Sequence, residues 1–244
     1  MRWMRRRVRR AWVTSALGAL ASVGGACGLD ARGTLLETAE TARGDAAADV
    51  AVEAVTQVPV ADPFCDPSDP DLILCVPFEG QVADESVHRQ TLQVSGPVDF
   101  VPGVRGSAVV VGATTTLHVP HGDAWDYASL TVELWFRPDG LPEAGRAGLF
   151  DKNGSFGVFL HPGGIVRCIF GGTVEAQAAR GGAWTHVACV NDGTKAAIHI
   201  DGVRVAEVDA GPVSVTQDLA AIGGDSPSGD PFSGGARGGA RLRS

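Results

Sequence analysis

The sequence predicts an all-β protein built as an antiparallel β-sandwich. Beyond residue 70, short apolar or alternating runs recur at intervals of about ten residues, which is typical of sandwiches. Gly, Pro, Asn and Asp separate these runs and supply the chemistry of turns. None of the runs is long enough for a substantial helix. These observations favour one sandwich domain within the 244 residues.

The individual strands follow from this pattern. In Leu130–Arg137, apolar and polar residues alternate, so one face of that strand is expected to be buried and the other to face outward. The predicted strands are Leu72–Phe78, Gln90–Val101, Ser107–Val111, Thr115–Val119, Leu130–Arg137, Gly148–Asp151, Phe156–His161, Ile165–Phe170, Val174–Ala178, Trp184–Val190, Ala197–Asp201 and Val203–Val208.

Two Asp-Gly pairs specify turns in the second half of the chain. Asp201-Gly202 lies between two alternating runs, and a type I′ hairpin turn needs positive φ at both of its central residues. Asp192-Gly193 is placed in the same way between two strands. The three strands from Trp184 to Val208 are therefore expected to form a meander.

Several segments, taken in order, resemble the laminin-G-like, concanavalin A-like jelly-roll family. The resemblance covers about Leu72 to Phe232 and implies a jelly roll, which we assign to residues 63–234. The matching segments are Val76–Gly80, Asp84–Ser86, Gly103–Val111, Leu130–Pro138, Trp184–Thr194 and Ile198–Gly202.

The end of the chain departs from the family pattern. Leu219–Gly224 and Phe232–Gly234 match it, but the family continues with a closing strand rich in Asp and β-branched residues. Here the tail, residues 235–244, is rich in Gly and Arg, a composition that is not expected to form a buried strand. We therefore expect a sandwich that lacks its closing strand, which indicates truncation or a frameshift near Gly234.

The first 27 residues are typical of an export signal. An arginine-rich start is followed by an apolar stretch, Ala11–Val23, and by small residues that end at Cys27. Small residues before a cysteine resemble the bacterial lipobox, which implies lipidation of Cys27 and a membrane anchor. Ordinary cleavage after Ala26 is the alternative. Residues 28–62 are Ala-rich and acidic, and too poor in bulky apolar side chains to fold, so they are predicted to be a disordered linker.

Charge and cysteines fit an exported protein. Removal of the six arginines among the first ten residues leaves 14 basic against 28 acidic side chains, a balance that disfavours nucleic acid. Removal of Cys27 leaves four of the five cysteines, and disulfides are expected in an oxidising compartment. Of the three possible connectivities we favour Cys65–Cys75 with Cys168–Cys189.

The sequence contains none of the motifs that would predict catalysis. It lacks the paired glutamates of the glycosidases that share the fold, as well as hydrolase, zinc-protease and phosphate-binding motifs. We therefore expect a non-catalytic module at the cell surface that binds a glycan or a protein. A purely structural surface module is the second hypothesis, and a divergent polysaccharide hydrolase is a distant third.

Few residues are candidates for ligand binding. Trp125 and Tyr127 lie in a predicted loop and are the candidates for an aromatic platform, with a role in covering a sheet edge as the alternative. Trp135 and Trp184 lie in strands and are expected in the core. His186 is expected to be a packed, hydrogen-bonded histidine of the core.

The resemblance also implies a possible calcium site. Domains of this kind often bind calcium through the Asp of an opening D-x-S together with groups of the closing strand. Asp84 and Ser86 match the first half of that site, whereas the second half is missing here.

Overall fold

The computed structural model describes residues 65–243, which form two antiparallel sheets packed as a sandwich. The first sheet contains β1 (Leu72–Leu74), β3 (Asp99–Pro102), β4 (Ser107–Val111), β6 (Leu130–Pro138), β11 (Thr185–Asn191), β12 (Lys195–Ile200), β13 (Val203–Asp209) and β15 (Gly234–Arg243). The second contains β2 (Gln93–Ser95), β5 (Thr116–Val119), β7 (Ala147–Lys152), β8 (Phe156–His161), β9 (Ile165–Phe170), β10 (Thr173–Gln177) and β14 (Ala220–Ile222). Two short 3-10 turns, Asp123–Trp125 and Pro162–Gly164, complete the described elements.

The two sheets have simple strand orders. The first runs β13-β12-β11-β6-β15-β4-β3, and β1 pairs with the end of β15. The second runs β10-β9-β8-β7-β14-β5-β2. Within residues 65–243, no helix is long and apolar enough to cross a bilayer. The all-β sandwich predicted from the sequence is confirmed.

Strand β6 shows how the sequence pattern builds the core. Leu130, Val132, Leu134 and Phe136 are buried between the sheets, whereas the alternate residues are half-buried on the outer face. Strand β11 alternates in the same way beside it. Because successive side chains of a strand point to opposite faces, the alternation in sequence decides which face is buried.

The predicted meander of β11, β12 and β13 is confirmed, although its two turns differ. Asp201 and Gly202 have φ values of 48° and 81°, as a type I′ turn requires. At the other turn only Gly193 has a positive φ, of 91°. The Asp192 carboxylate there accepts hydrogen bonds from the amides of Thr194 and Lys195, so side-chain bonding shapes a longer loop.

The expectation of a missing closing strand is wrong. Gly234–Arg243 forms β15, which pairs with β6 on one side and with β4 and β1 on the other. Glycine suits this position, because a Cβ at Gly235 would lie 3.2 Å from a ring carbon of Trp184. Backbone pairing with β4 and β6 holds this segment in a strand. The neighbouring strands therefore outweigh the poor β-propensity of Gly and Arg.

Both favoured disulfides are confirmed. Cys65–Cys75 ties the start of the described chain to the residue after β1. Cys168–Cys189 joins β9 to β11. These strands belong to different sheets, so the second bond crosses the sandwich, whereas the sequence had suggested neighbouring strands. The export signal, Cys27 and the linker at residues 28–62 lie outside the described residues.

Candidate functional site

Trp125 and Tyr127 do not form the aromatic platform that the sequence suggested. Trp125 is 1% exposed and Tyr127 is 7% exposed. The Trp125 indole stacks on Phe156 at 6.4 Å, and its Nε1 donates a hydrogen bond to Gln90. Burial raises the pKa of the Tyr127 hydroxyl. The prediction is wrong because this loop turns inward and both rings join the core.

Trp135 and Trp184 lie outside the core, contrary to the expectation from the sequence. Both were expected in the core, yet both are half-buried on the outer face of the first sheet. Trp135 packs against His186 at 5.0 Å, and Arg137 lies 5.3 Å from the Trp184 ring centroid. His186 shares this face, where it is hydrogen-bonded to Glu133 at 3.0 Å rather than buried in the core.

Asp84 and Ser86 do not offer the half-site for calcium that the resemblance implied. One oxygen of the buried Asp84 carboxylate accepts hydrogen bonds from the amides of Cys75 and Ser86. The other accepts from the Ser86 hydroxyl and the amide of Gln90. Four donors fill the acceptor positions of a carboxylate, so none remains for a cation. No group of three or more metal-ligating side chains occurs among residues 65–243.

A cavity with both polar and apolar lining residues lies on the outer face of the second sheet. It has a volume of about 510 Å³. Asp151 on β7 and Gly157 on β8 form its floor, and Arg146 and Asp225 contribute to its wall. Further polar side chains surround it, namely Asn153, Ser155, Thr173, Ser214 and Ser226. Phe156, Phe159 and Ile169 also line the cavity, so polar and apolar groups contribute about equally to the surface that a ligand would contact.

Two carboxyl groups meet where the floor and the wall of this cavity join. Asp151 is only 5% exposed, and its carboxyl group is within hydrogen-bonding reach of that of Asp225. Burial, together with the neighbouring acid, raises the pKa of Asp151 to about 7. The Ser226 amide donates to the Asp151 carboxyl group at 2.9 Å and favours its charged form. Below about pH 7 the Asp151 carboxyl group therefore carries a proton that it can donate to the Asp225 carboxyl group.

Arg146 stabilises the wall of the cavity through two ion pairs. Its guanidinium donates to Asp225 at 2.7 Å and to Asp230 at 2.6 Å, and thus links both ends of one turn of the 223–232 loop. It also lies 3.9 Å from the ring centroid of Phe159, which the guanidinium covers. The loop is closed on itself, since the Phe232 amide donates to the Gly223 carbonyl.

Glycines create the space that the cavity occupies. A Cβ at Gly157 would lie 2.2 Å from the Phe159 ring and 2.9 Å from the Asp151 carboxyl group. A Cβ at Gly148 would lie 2.3 Å from the carbonyl oxygen of Gly224, so the 223–232 loop can rest on β7 only because position 148 is a glycine. Such close approach between backbones is a common reason for glycine in strands.

The sequence did not indicate this site. Arg146, Asp151 and Asp225 come from distant parts of the chain and form no motif. The one available signal was the acidic Asp151, at the end of an apolar predicted strand, where a charge is seldom buried without a partner. Asp151 could thus have been identified from the sequence, but Arg146 and Asp225 could not.

The two-sheet jelly roll on which this cavity lies is the fold of concanavalin A-like lectins and glucanases. The model of the concanavalin A-like lectin/glucanase superfamily, of the laminin-G type, matches residues 111–236. The chain belongs to this family. No curated protein sequence is significantly similar to it.

Solved structures with a similar fold include a domain of an arabinanase and binding domains of two toxins. Domain 4 of an extracellular arabinanase from Geobacillus stearothermophilus, in complex with arabinotriose, is 19% identical with a TM-score of 0.57. That match covers 71% of this chain and 92% of that domain. The binding domain of Paraclostridial mosquitocidal protein 1 is 14% identical, with a TM-score of 0.55.

The binding domain of botulinum neurotoxin DC, in complex with SialylT, is 11% identical with a TM-score of 0.56. For both toxin domains the match covers 71% of this chain and 48% of the toxin domain. This chain therefore spans about half of those binding domains, and the likeness shows the fold alone.

Proposed function

We propose that this protein is a non-catalytic glycan-binding module of an exported protein, and that the Asp151 cavity holds the ligand. The cavity itself carries the proposal. Its hydroxyl, amide and carboxyl groups surround a floor kept open by glycine, which suits a polyhydroxylated ligand. The glycan complex of the arabinanase domain supports the same ligand class for the fold.

Binding is favoured over hydrolysis by the geometry of the two acids. Glycosidases separate their two carboxyl groups by about 5 to 9.5 Å to accommodate a sugar or a sugar with water. Asp151 and Asp225 are instead in hydrogen-bonding reach of each other, which leaves no room for a glycosidic bond between them. A divergent hydrolase is thus the weaker candidate.

A steric test fills the cavity and leaves Asp151, Asp225 and Arg146 unchanged. Thr173 is exposed at the cavity edge on β10, and Glu175 is the next outward residue on the same strand but lies outside the cavity. Thr173→Trp should fill the cavity and weaken glycan binding on an array and in calorimetry by more than tenfold. Glu175→Trp is the matched control, because it loses only an exposed ion pair with Arg167.

The outcomes distinguish the candidate functions. Glycan binding that survives Thr173→Trp would place the site elsewhere, and turnover of a polysaccharide would favour the hydrolase. Binding of a protein ligand alone would refute the glycan class. A purely structural module would bind nothing and would tolerate both substitutions equally.

We also propose export and anchoring through Cys27. Two disulfides among the described residues support an oxidising location, and the signal-like first 27 residues support export. Mass spectrometry of the mature protein should find diacylglyceryl-modified Cys27 as its first residue. A mature form that begins at Cys27 without lipid would refute anchoring and retain export.

A further inference from the structure

A second cavity lies across the 223–232 loop from the Asp151 cavity. It has a volume of about 250 Å³. His118 and Ala221 line it, together with Gly224 and Ser228 of the loop. Asp225 lines both cavities, so the loop forms a rib between two adjacent spaces on the same face of the second sheet.

Strand register aligns the polar groups of the two cavities. Ala221 on β14 pairs directly with His118 on β5 and with Asp151 on β7. Directly paired residues point to the same face, so the three side chains form a row that crosses the strands. Two strand spacings separate His118 from Asp151 along this row, about 9 to 10 Å, which is more than one sugar ring spans.

The second cavity combines a mainly apolar lining with a few polar groups, as small-molecule sites commonly do. Burial lowers the pKa of His118, so its neutral ring offers one donor and one acceptor at neutral pH. The rib between the cavities consists mainly of Gly, Ser and Asp, which leaves backbone groups and short polar side chains accessible. Ala221 lies between the two polar positions and is buried, so a ligand that reaches both cavities passes over the loop.

We infer that the His118 cavity is a second subsite of the glycan site, and that the ligand is an oligosaccharide chain that crosses the strands of the second sheet. The inference rests on the proposed function. One sugar occupies the Asp151 cavity, and a sugar further along the chain occupies the His118 cavity on the other side of Asp225.

Affinity as a function of chain length tests this inference. The full-length chain is titrated by calorimetry with arabinan-, xylan-, glucan-, mannan- and chitin-derived sugars, from the monosaccharide to the hexasaccharide. In the series that binds, we expect the longest sugar to bind roughly tenfold more tightly than the shortest, a gain that one or two additional net hydrogen bonds provide.

Two variants remove the second subsite by different means. His118→Ala deletes its side-chain donor and acceptor, and Ser228→Trp fills the cavity from an exposed position. Both should abolish the gain with chain length and leave affinity for the shortest sugar unchanged. His186→Ala is the control, since it removes a half-buried histidine from the outer face of the other sheet.

Each outcome decides between the two proposals. Affinity that does not depend on length, or a gain that survives both variants, overturns the second subsite and leaves the proposed function intact. Equal losses for short and long sugars in both variants also overturn it. Absence of binding to every sugar overturns the proposed function and this inference together.

Discussion

Asp151 should make the stability of this protein decrease as pH rises. Its pKa is about 7 in the folded chain, against an ordinary value of 3.8. Between these pH values the folded chain holds a proton that the unfolded chain releases, so the free energy of unfolding falls with rising pH. Each unit of pKa difference corresponds to about 1.4 kcal/mol, which gives an upper limit of about 4 kcal/mol.

Asp151→Asn removes this dependence. The amide keeps the shape of the protonated acid, can accept the hydrogen bond from Ser226 and can donate one to Asp225. Wild type and variant should be similarly stable near pH 4. Above about pH 8 the variant should be more stable by up to about 4 kcal/mol, because Asp151 of the wild type is then charged although it is buried beside Asp225.

Chemical denaturation across this pH range measures the effect. Asp99→Asn is the control, because it makes the same chemical change at an exposed position of β3. The difference between Asp151→Asn and the wild type isolates one titration from those of the other acids. A difference that stays constant from about pH 4 to pH 8 would refute the raised pKa of Asp151.

Two further predictions concern packing. Replacing both cysteines of Cys168–Cys189 by Ala should cost roughly 3 kcal/mol of unfolding free energy in chemical denaturation, since the bond closes a loop with a sequence separation of 21. A loss below about 1 kcal/mol would contradict the loop-closure argument. Gly148→Ala should cost about 1 to 3 kcal/mol and weaken glycan binding, because the new methyl group displaces Gly224. Gly140→Ala, which meets no atom within 4 Å, should stay within about 0.5 kcal/mol; equal effects at the two glycines would contradict the displacement.

The sequence determined the elements that depend on local order. The alternation of Leu130–Arg137 decided which face of β6 is buried, and Asp201-Gly202 fixed a hairpin because its positive φ values are a property of those two residues. The four cysteines allowed only three connectivities, and the choice of those near in sequence was confirmed.

Tertiary structure decided where these elements lie and what they create. Gly234–Arg243 has no strand pattern of its own and becomes β15 because β4 and β6 leave a space with unpaired backbone groups between them. Trp125 turns inward and Trp184 lies outside, although the sequence suggested the reverse, because loop direction and strand face depend on distant neighbours. The candidate site joins Asp151 to Asp225, 74 positions apart, and neither carries any local sign of the other. Local periodicity predicts which side chains are buried. A cavity is lined by segments that are distant in sequence, so its residues come together only when the chain folds.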